Sequence, residues 1–487
     1  MTLSTTRLYQ WFLVLACFAV ISFLKSLHLQ QQSEATTKTT TTTTVLQTTL
    51  QAFKLPRGGG NAGSANAGTT EQTIPPYHVV FSTSCEPQQH WESYVLFYHA
   101  WKVGQRGTVT RIASGCSAHD AEALTSFHEQ HIQSMNPSFF LHLTPDFSRS
   151  KEYIRFGRAR YKYMNKPYGL LHWLQHTFQK DTADQDGIVI LMDPDMILLR
   201  PIVHDYTHQE VLFVEENPIK RRVEHGFPMA QQDGYLTNEW MKLNASYITN
   251  GGNISHIQWA DGPKHYNTGP PYLATVKDML AIAKVWADYA PRVYEIHPKL
   301  FAEMFGYIFA TTQLQLPHTL IKSLVVSTTE TSNREGWKYI DTSLSDDQVC
   351  ASLHPGRFAP TQDITSSTQL PVALHYCKRY LLHTWFFSKY RLKKHYISCE
   401  TPLLQLPPLD LVRYNYTYSL QPPPNRYSGP PWDPPMSNVS SHRAKREAFM
   451  ICQLIRAVNE AAIHFKKTAC SHPNWNDNYT FFNDPND

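Results

Sequence analysis

The feature of this sequence that most restricts its fold is a repeated change, between residues 78 and 192, from strand-like to helix-like hydrophobic patterns. Short apolar runs typical of buried strands cover residues 78–83, 108–114, 138–145 and 187–192. Amphipathic patterns of helical spacing cover residues 90–104 and 165–178. Such alternation predicts an α/β fold in which a mostly parallel sheet has helices on both faces. Ligands of these sheets bind beyond the carboxyl ends of the strands.

Two aspartates follow the last of these predicted strands, in the stretch "GIVILMDPDMILLRPI". Asp193 and Asp195 stand two residues apart, and Pro194 stiffens the turn between them. Carboxylates at a strand end can hold Mg²⁺ or Mn²⁺ together with the phosphate oxygens of a substrate. A cation there would stabilise the negative charge of a departing nucleoside diphosphate. The pattern therefore predicts a metal site of the D-x-D type that nucleotide-sugar-dependent glycosyltransferases use.

Two other interpretations of Asp193-Pro194-Asp195 stay open. The tripeptide can be an ordinary turn that follows a strand and binds nothing. Phosphatases of the haloacid-dehalogenase class also place D-x-D after an apolar strand. In that class the first strand of the domain usually carries the pair, whereas here three predicted strands precede it.

Composition and charge restrict the class of protein. The chain has 487 residues, of which 42% are hydrophobic, so it can bury a large core in one big domain or two smaller ones. Its formal net charge of +4 is small for this length. Without a basic tract the chain lacks the electrostatic footprint of a nucleic-acid-binding protein, and we expect no nucleic-acid partner.

The N-terminal region predicts entry into the secretory pathway. Residues 8–24 form an uninterrupted apolar run, about as long as the shortest membrane-spanning helices, between Arg7 and Lys25. A cleaved signal peptide is the alternative, but no small-x-small cleavage site follows the run. We expect a single-pass type II protein of the Golgi or ER membrane, with a cytosolic tail at 1–7, a signal anchor at 8–27 and a luminal remainder.

The luminal part divides by composition into four segments. Residues 28–76 are rich in threonine and glycine, which predicts a disordered stalk. Residues 77–400 carry the α/β pattern and the D-x-D, and residues 401–440 predict a proline-rich extended arm. Residues 441–487 contain one amphipathic helix, predicted over 441–467, and a tail. That helix could pack against the catalytic domain or mediate a homodimer, and the sequence does not decide.

Sequons and cysteines agree with a luminal location. Sequons of the N-x-[ST] type occur at Asn244, Asn253, Asn415, Asn438 and Asn478. The cysteines that follow the predicted anchor are Cys85, Cys116, Cys350, Cys377, Cys399, Cys452 and Cys470. None of these forms a C-x-x-C pair, so we expect scattered disulfides rather than a cysteine zinc site. Seven luminal cysteines leave one outside the pairs.

Several motifs occur in a fixed order along the chain: "NKPYGLLHWL", "DPDMILLRP", "GPKHYNTGPPY", "FAEMFGY" and "ALHYC". Over roughly residues 77–400 they resemble the plant and algal hydroxyproline O-arabinosyltransferase and peptidyl serine α-galactosyltransferase families. The resemblance implies a Rossmann-like GT-A fold, a UDP-sugar donor, and transfer to a serine or hydroxyproline hydroxyl of secretory or cell-wall glycoproteins. "EMFGY", "HY" and "SCETPLLQLPP" are more similar to the serine branch. This implies galactose on serine, with arabinose on hydroxyproline as the alternative.

The resemblance also implies roles for two later residues. His375 in "LHYC" is similar to the late histidine that completes the metal site in many GT-A enzymes, and imidazole is a suitable ligand for Mn²⁺. Glu303 in "FAEMFGY" stands among apolar residues, where an unpaired carboxylate would be costly to bury, so it needs a partner or a function. A retaining enzyme would place such a carboxylate near the sugar. The alternatives are a hydrogen-bonded structural histidine and a salt-bridged helix residue.

Residues of the early strands, of the helix over 165–178 and of the D-x-D are predicted to contact the nucleotide. They comprise Thr83, Arg111, Asn165, Lys166 and, through the metal, Asp193. Each of the first four could equally be a helix cap or a solvated charge. A catalytically inactive, stalked luminal protein that binds glycoprotein is the alternative of another class, and the intact Asp193, Asp195, Glu303 and His375 argue against it.

Overall fold

The structure is a computed structural model that describes residues 74–149, 161–178, 185–234, 236–252, 254–330, 334–351, 370–382, 385–413 and 440–479. The predicted cytosolic tail and signal anchor, and most of the predicted stalk and proline-rich arm, lie outside these residues. So do the sequons at Asn253, Asn415 and Asn438. Within the described ranges, none of the helices combines the length and the apolar character needed to cross a bilayer.

The main sheet has seven strands in the described chain, in the spatial order β3-β2-β1-β4-β7-β6-β8. Its strands are β1 Tyr77–Ser84, β2 Thr108–Ser114, β3 Phe139–Thr144, β4 Ile188–Met192, β6 Met229–Gln232, β7 Thr268–Thr275 and β8 Thr319–Ile321. Strands β3, β2, β1 and β4 are parallel to one another, and β8 is parallel to β6. Strand β7 is antiparallel to both β4 and β6. The predicted α/β class with a parallel-rich sheet is confirmed.

Smaller sheets and helices surround the main sheet. Strands β5 Met196–Leu198, β10 Ala373–His375 and β9 Val325–Val326 form a second sheet, and β11 Arg379–Leu382 pairs with β12 Trp385–Ser388. The α-helices are α1 Pro87–Lys102, α2 Ala118–Phe127, α3 Asn165–Thr177, α4 Ala245–Ile248, α5 Val276–Ile296, α6 Ala302–Gln313, α7 Trp337–Ser343 and α8 Ser441–Ala469. The predicted early strands and the helices over 90–104, 165–178 and 441–467 are all present, with ends shifted by a few residues.

Both faces of the main sheet are buried, which explains why its strands are continuous apolar runs. Along β1, Val79 and Phe81 belong to the core on one face, and Val80 belongs to the core on the other. This alternation follows from the two-residue period of a strand. The first core includes residues of α1 and α8, and the second includes residues of α3, α5 and α6.

Helix α3 lies very close to the sheet because of one glycine. A Cβ atom at Gly169 would stand 3.1 Å from Cγ2 of Ile112 and 3.4 Å from Oγ of Ser114, both on β2. Pro167 stands in the first turn of α3, where its missing N–H costs no hydrogen bond. The helix therefore begins beside the carboxyl ends of β1 and β2, and its first residues reach the end of the sheet where ligands bind.

Helix α8 packs against the same core as the sheet. Its residues Phe449, Cys452 and Ile455 are buried. A hydrogen bond of 2.9 Å joins the hydroxyl of Tyr94 on α1 to Nδ1 of His464 on α8. Within the described residues the disulfides are Cys85–Cys116, Cys350–Cys452 and Cys399–Cys470, two of which end on or next to this helix. The predicted scattered disulfides are confirmed, and Cys377 takes no part in these three. Of the two roles left open for the helix, packing on the catalytic domain is the one observed.

Candidate active site

The two aspartates of the D-x-D lie directly beyond the carboxyl end of β4, as predicted. Asp193 follows Met192, the last residue of β4, and Asp195 precedes Met196, the first residue of β5. Asp195 is 5% exposed, so its carboxylate is not a solvated turn residue. An ordinary surface turn would leave these carboxylates in water, and their burial requires charged partners.

His375 reaches the aspartates through strand pairing between distant segments. Strand β10 is antiparallel to β5, and His375 stands opposite Met196. The backbone N–H of Tyr376 donates to the carbonyl oxygen of Asp195 at 3.0 Å, which fixes the register. Nε2 of His375 lies 3.3 Å from Oδ1 of Asp195 and 3.8 Å from Oδ2 of Asp193. The predicted metal-ligand set is thus brought together.

This set of atoms suits a divalent cation. One ligand atom from each of Asp193, Asp195 and His375 lies within 4.8 Å of the other two. Two carboxylates and one imidazole match the preferences of Mn²⁺, and the carboxylates also suit Mg²⁺. Burial would lower the pKa of His375, but the neighbouring Cys377 and Asp195 hold that pKa well above its ordinary value. A cation would therefore compete with a proton on His375, as metals do at imidazole ligands.

Lys166 connects the D-x-D to Glu303. Its Nζ lies 2.8 Å from Oδ1 of Asp193 and 3.0 Å from Oε1 of Glu303. Burial would lower the pKa of Lys166, but Asp193 and Glu303 outweigh it and raise that pKa. The lysine therefore stays charged between two carboxylates. Its position in the first turn of α3 is the one predicted from sequence, and its role as a bridge was not.

Glu303 lies at the start of α6 and is 3% exposed. Its backbone N–H donates to the hydroxyl of Tyr161 at 3.2 Å, and Nε1 of Trp286 donates to its carbonyl oxygen at 2.6 Å. Burial raises the pKa of the Glu303 carboxyl, although Lys166 opposes the shift. Within the described residues, its Oε2 has no hydrogen-bond partner. The partner that the sequence required is Lys166, and one carboxylate oxygen is left for another group.

A second buried lysine, which sequence reasoning missed, neutralises the other aspartate. Nζ of Lys389 donates to Oδ2 of Asp195 at 2.6 Å and lies 3.9 Å from Oε1 of Glu92 on α1. Burial would raise the pKa of Asp195, but Lys389 and His375 outweigh it and lower that pKa. Burial raises the pKa of Glu92 to about 7, with Lys389 opposing the shift. Lys389 stands in "FFSKYRL", where no local pattern distinguishes it from a surface lysine.

The other residues predicted to contact the nucleotide form hydrogen bonds with groups of the protein itself. Nε of Arg111 donates to Oγ1 of Thr83 at 2.9 Å, and Thr83 in turn donates to the carbonyl oxygen of Ile112. Oδ1 of Asn165 accepts from the backbone N–H of Phe147 at 2.8 Å. Arg111 and Asn165 are 3% and 4% exposed, so these side chains hold the loops that follow β1 and β3. Direct contact with a nucleotide at Thr83, Arg111 and Asn165 stays a prediction.

The part of the chain that carries the D-x-D matches a known family. Residues 77–214 match the model of the hydroxyproline O-arabinosyltransferase family N-terminal domain. The match runs from β1 past Asp195 and ends before Glu303 and His375. Together with the curated relatives described next, it confirms the predicted resemblance to this superfamily.

Two curated proteins with the name peptidyl serine alpha-galactosyltransferase are similar to this chain. The Arabidopsis thaliana protein is 23% identical over 324 residues, and the Chlamydomonas reinhardtii protein is 24% identical over 257 residues. The alignments cover 65% and 50% of this chain. They cover 32% and 30% of those proteins, so the chain spans about a third of the length of the curated relatives it matches.

Solved structures of two glycosyltransferases also align with the chain. The galactosyltransferase LgtC, in complex with donor and acceptor sugar analogues, is 11% identical with a TM-score of 0.32, over 63% of this chain and 90% of that one. The bifunctional glycosyltransferase WbbM is 12% identical with a TM-score of 0.30, over 64% of this chain and 47% of that one. The mixed α/β architecture described above does not depend on this similarity.

Proposed function

We propose that this chain is a metal-dependent glycosyltransferase of GT-A type that transfers a sugar from a UDP-sugar to a hydroxyl group of a glycoprotein. The observation that carries the proposal is the group formed by buried Asp195 and half-buried Asp193 and His375 at the carboxyl end of β4, with one lysine paired to each aspartate. A turn without function would have no reason to hold four charged side chains together with only 7–18% of each exposed, because desolvation makes that arrangement costly.

The cation-binding residues would be Asp193, Asp195 and His375, with Mn²⁺ or Mg²⁺ as the ion. Bound there, the ion would supply Lewis-acid charge to the diphosphate of the donor. Lys166 and Lys389 pair with these carboxylates and neutralise their charge. Since an ion would take over that neutralisation, both ammonium groups could turn towards the phosphates, where positive charge stabilises the leaving group.

Glu303 would face the transferred sugar in this proposal. Its carboxylate is held 3.0 Å from Nζ of Lys166, which itself touches Asp193, so it lies one side chain away from the metal ligands. A buried carboxylate with one oxygen left over can accept from a sugar hydroxyl or stabilise positive charge at the anomeric carbon. This arrangement supports a retaining reaction.

For the substrates, we propose transfer of galactose to serine, as the names of the two curated relatives indicate for those proteins. The second candidate is arabinose on hydroxyproline, which the name of the matching family model favours. The detergent-solubilised full chain should be incubated with UDP-galactose, UDP-arabinose or UDP-glucose, Mn²⁺, and matched peptides that contain serine or hydroxyproline. We expect a hexose on the serine peptide, no product in EDTA, and recovery when Mn²⁺ is restored.

Other outcomes of this experiment separate the alternatives. A pentose on the hydroxyproline peptide alone would reverse the order of the two substrates. Peptide binding without any transfer, at every donor and metal tested, would favour the inactive binding protein. Transfer that is indifferent to EDTA would contradict a metal site at Asp193 and Asp195.

We also propose a type II topology in the Golgi or ER membrane, supported by the apolar run at 8–24 and by exposed sequons. Asn244 and Asn478 are exposed, and Oδ1 of Asn244 accepts from the backbone N–H of Tyr247. In microsomes we expect glycans that resist added glycosidase until detergent is supplied, and one fewer glycan in Asn244→Gln. A secreted form that begins near Lys25 would contradict the anchor.

A further inference from the structure

A cluster of three histidines lies at the edge of the main sheet, outside the site described above. His142 is on the edge strand β3, and His172 and His176 are one turn apart on α3. Nε2 of His142 lies 2.9 Å from Nδ1 of His172, and the rings of His172 and His176 stack with centroids 3.9 Å apart. One nitrogen from each ring lies within 4.8 Å of the other two.

The chemistry of the cluster is that of neutral imidazoles. Burial, together with the neighbouring His172 and His176, lowers the pKa of His142 to about 4. Burial also lowers the pKa of His172, with His176 acting in the same direction. Protonation of several rings at these distances would bring like charges together. His142 and His172 are therefore uncharged at neutral pH, which is the form in which imidazole binds metals.

The hydrogen bond of His176 leaves one ring nitrogen with a lone pair that can bind a metal. Its Nδ1 lies 2.6 Å from the carbonyl oxygen of His172. A carbonyl oxygen can only accept, so Nδ1 carries the hydrogen and Nε2 keeps its lone pair. Metal-binding histidines commonly donate their other ring N–H to a backbone carbonyl in this way, because the bond fixes both tautomer and ring orientation.

We propose that His142, His172 and His176 form a zinc site that ties the edge strand β3 to helix α3. Three imidazoles without a carboxylate suit Zn²⁺ and not Mg²⁺ or Mn²⁺, which prefer oxygen ligands. Because His176 is exposed, a fourth position is open to water. In tetrahedral zinc, with Zn–N distances of about 2.0–2.1 Å, the ligand nitrogens lie about 3.4 Å apart. Nε2 of His142 and Nδ1 of His172, now 2.9 Å apart, would exchange their hydrogen bond for bonds to the ion and separate slightly, and the exposed His176 ring would rotate out of its stack on His172.

The proposed site has a consequence at the other end of α3. Lys166, which bridges Asp193 and Glu303, lies in the first turn of this helix, and His172 and His176 lie in its second half. Fixing α3 to β3 would hold the helix against the sheet and so hold Lys166 in position. Zinc would also secure an edge strand whose outer side is unpaired in the described chain.

Zinc binding can be measured apart from sugar transfer. The full chain, treated with chelator and kept in excess Mg²⁺ to occupy the aspartate site, should be titrated with Zn²⁺ by calorimetry and with Co²⁺ by visible absorption. Besides any Zn²⁺ that replaces Mg²⁺ at the aspartate site, we expect one equivalent of Zn²⁺ per chain that is lost in His176→Ala, a tetrahedral Co²⁺ spectrum, and a higher thermal midpoint with Zn²⁺. His176→Ala and His172→Gln should weaken zinc binding at least about tenfold, since loss even of outer-shell partners costs that much.

The matched control is His119→Ala, because His119 is an exposed histidine far from the cluster in sequence, with 91% of its side chain accessible. It should bind zinc as the wild type does. Since His176 is exposed, His176→Ala should keep its circular dichroism spectrum and still lose zinc. A wild type that takes up no zinc in excess Mg²⁺, or a His176→Ala and His172→Gln pair that binds zinc with unchanged affinity, would overturn the proposal.

Discussion

Asp195→Asn should lower the rate of sugar transfer by about a hundredfold to ten-thousandfold, which corresponds to losing several kcal/mol of transition-state stabilisation. Asparagine keeps the volume of the side chain but removes a charged ligand from the site that holds the diphosphate. The effect is measured as the initial rate of transfer at several Mn²⁺ concentrations, with the donor and peptide that give product with the wild type. Asp193→Asn should act in the same direction, because both carboxylates reach the same cation position.

The chain should still fold after this substitution. Asp195 accepts from Lys389 at 2.6 Å, so its charge does contribute to stability, but Glu92 still faces the same ammonium group at 3.9 Å. The control is Asp288→Asn, which changes an exposed aspartate of α5 in a surface pair with Arg292 and should leave the rate unchanged. An Asp195→Asn protein that transfers sugar at the wild-type rate would mean that the D-x-D is only a turn.

Lys166→Met should lower the free energy of unfolding by about 3–5 kcal/mol in the absence of divalent cations. The substitution leaves the carboxylates of Asp193 and Glu303 buried without the ammonium group that lies 2.8 and 3.0 Å from them. Urea unfolding followed by fluorescence or circular dichroism measures the loss. Adding Mn²⁺ should recover part of it, since the cation would neutralise Asp193.

A control substitution at a surface lysine distinguishes this effect from the general effect of losing an ion pair. Lys264 pairs with Glu215 at 3.8 Å, with 49% and 41% of the two side chains exposed, so Lys264→Met should cost less than about 1 kcal/mol. Adding Glu303→Gln to Lys166→Met should recover part of the lost stability, because it removes one of the two isolated carboxylates. Equal losses for the two lysines would contradict the bridging role of Lys166.

The local hydrophobic pattern of the sequence was sufficient to predict the strands and helices in the early half of the fold. Strand β4 could be predicted with its end at Met192, because a run buried on both faces must stop where polar residues begin. The same reasoning placed Asp193 and Asp195 beyond the carboxyl end of that strand, where parallel sheets bind ligands. Lys166 was placed in the first turn of its helix by Pro167 and by the apolar spacing that follows.

The rest of the site depends on pairings between segments far apart in sequence. His375, one of 24 histidines, reaches the aspartates only because β10 pairs with β5. Lys389 contacts Asp195 from a short turn, Glu92 of α1 contacts Lys389, and neither residue has a local signal in the sequence. In the histidine cluster, the spacing of His172 and His176 is visible in the sequence, but His142 joins them only through the packing of α3 against the edge strand.

The sequence by itself therefore determined the α/β class, the place of the D-x-D at the end of β4, and the need of Glu303 for a partner. These features follow from the spacing of hydrophobic residues along the chain and from the free-energy cost of burying a lone carboxylate. Both can be recognised within a stretch of a few residues. Only the tertiary structure decided that this partner is Lys166 and that Lys389 and Glu92 complete the site. Attraction between charges depends on distance in space and on the loss of surrounding water, and strand register and helix packing set both.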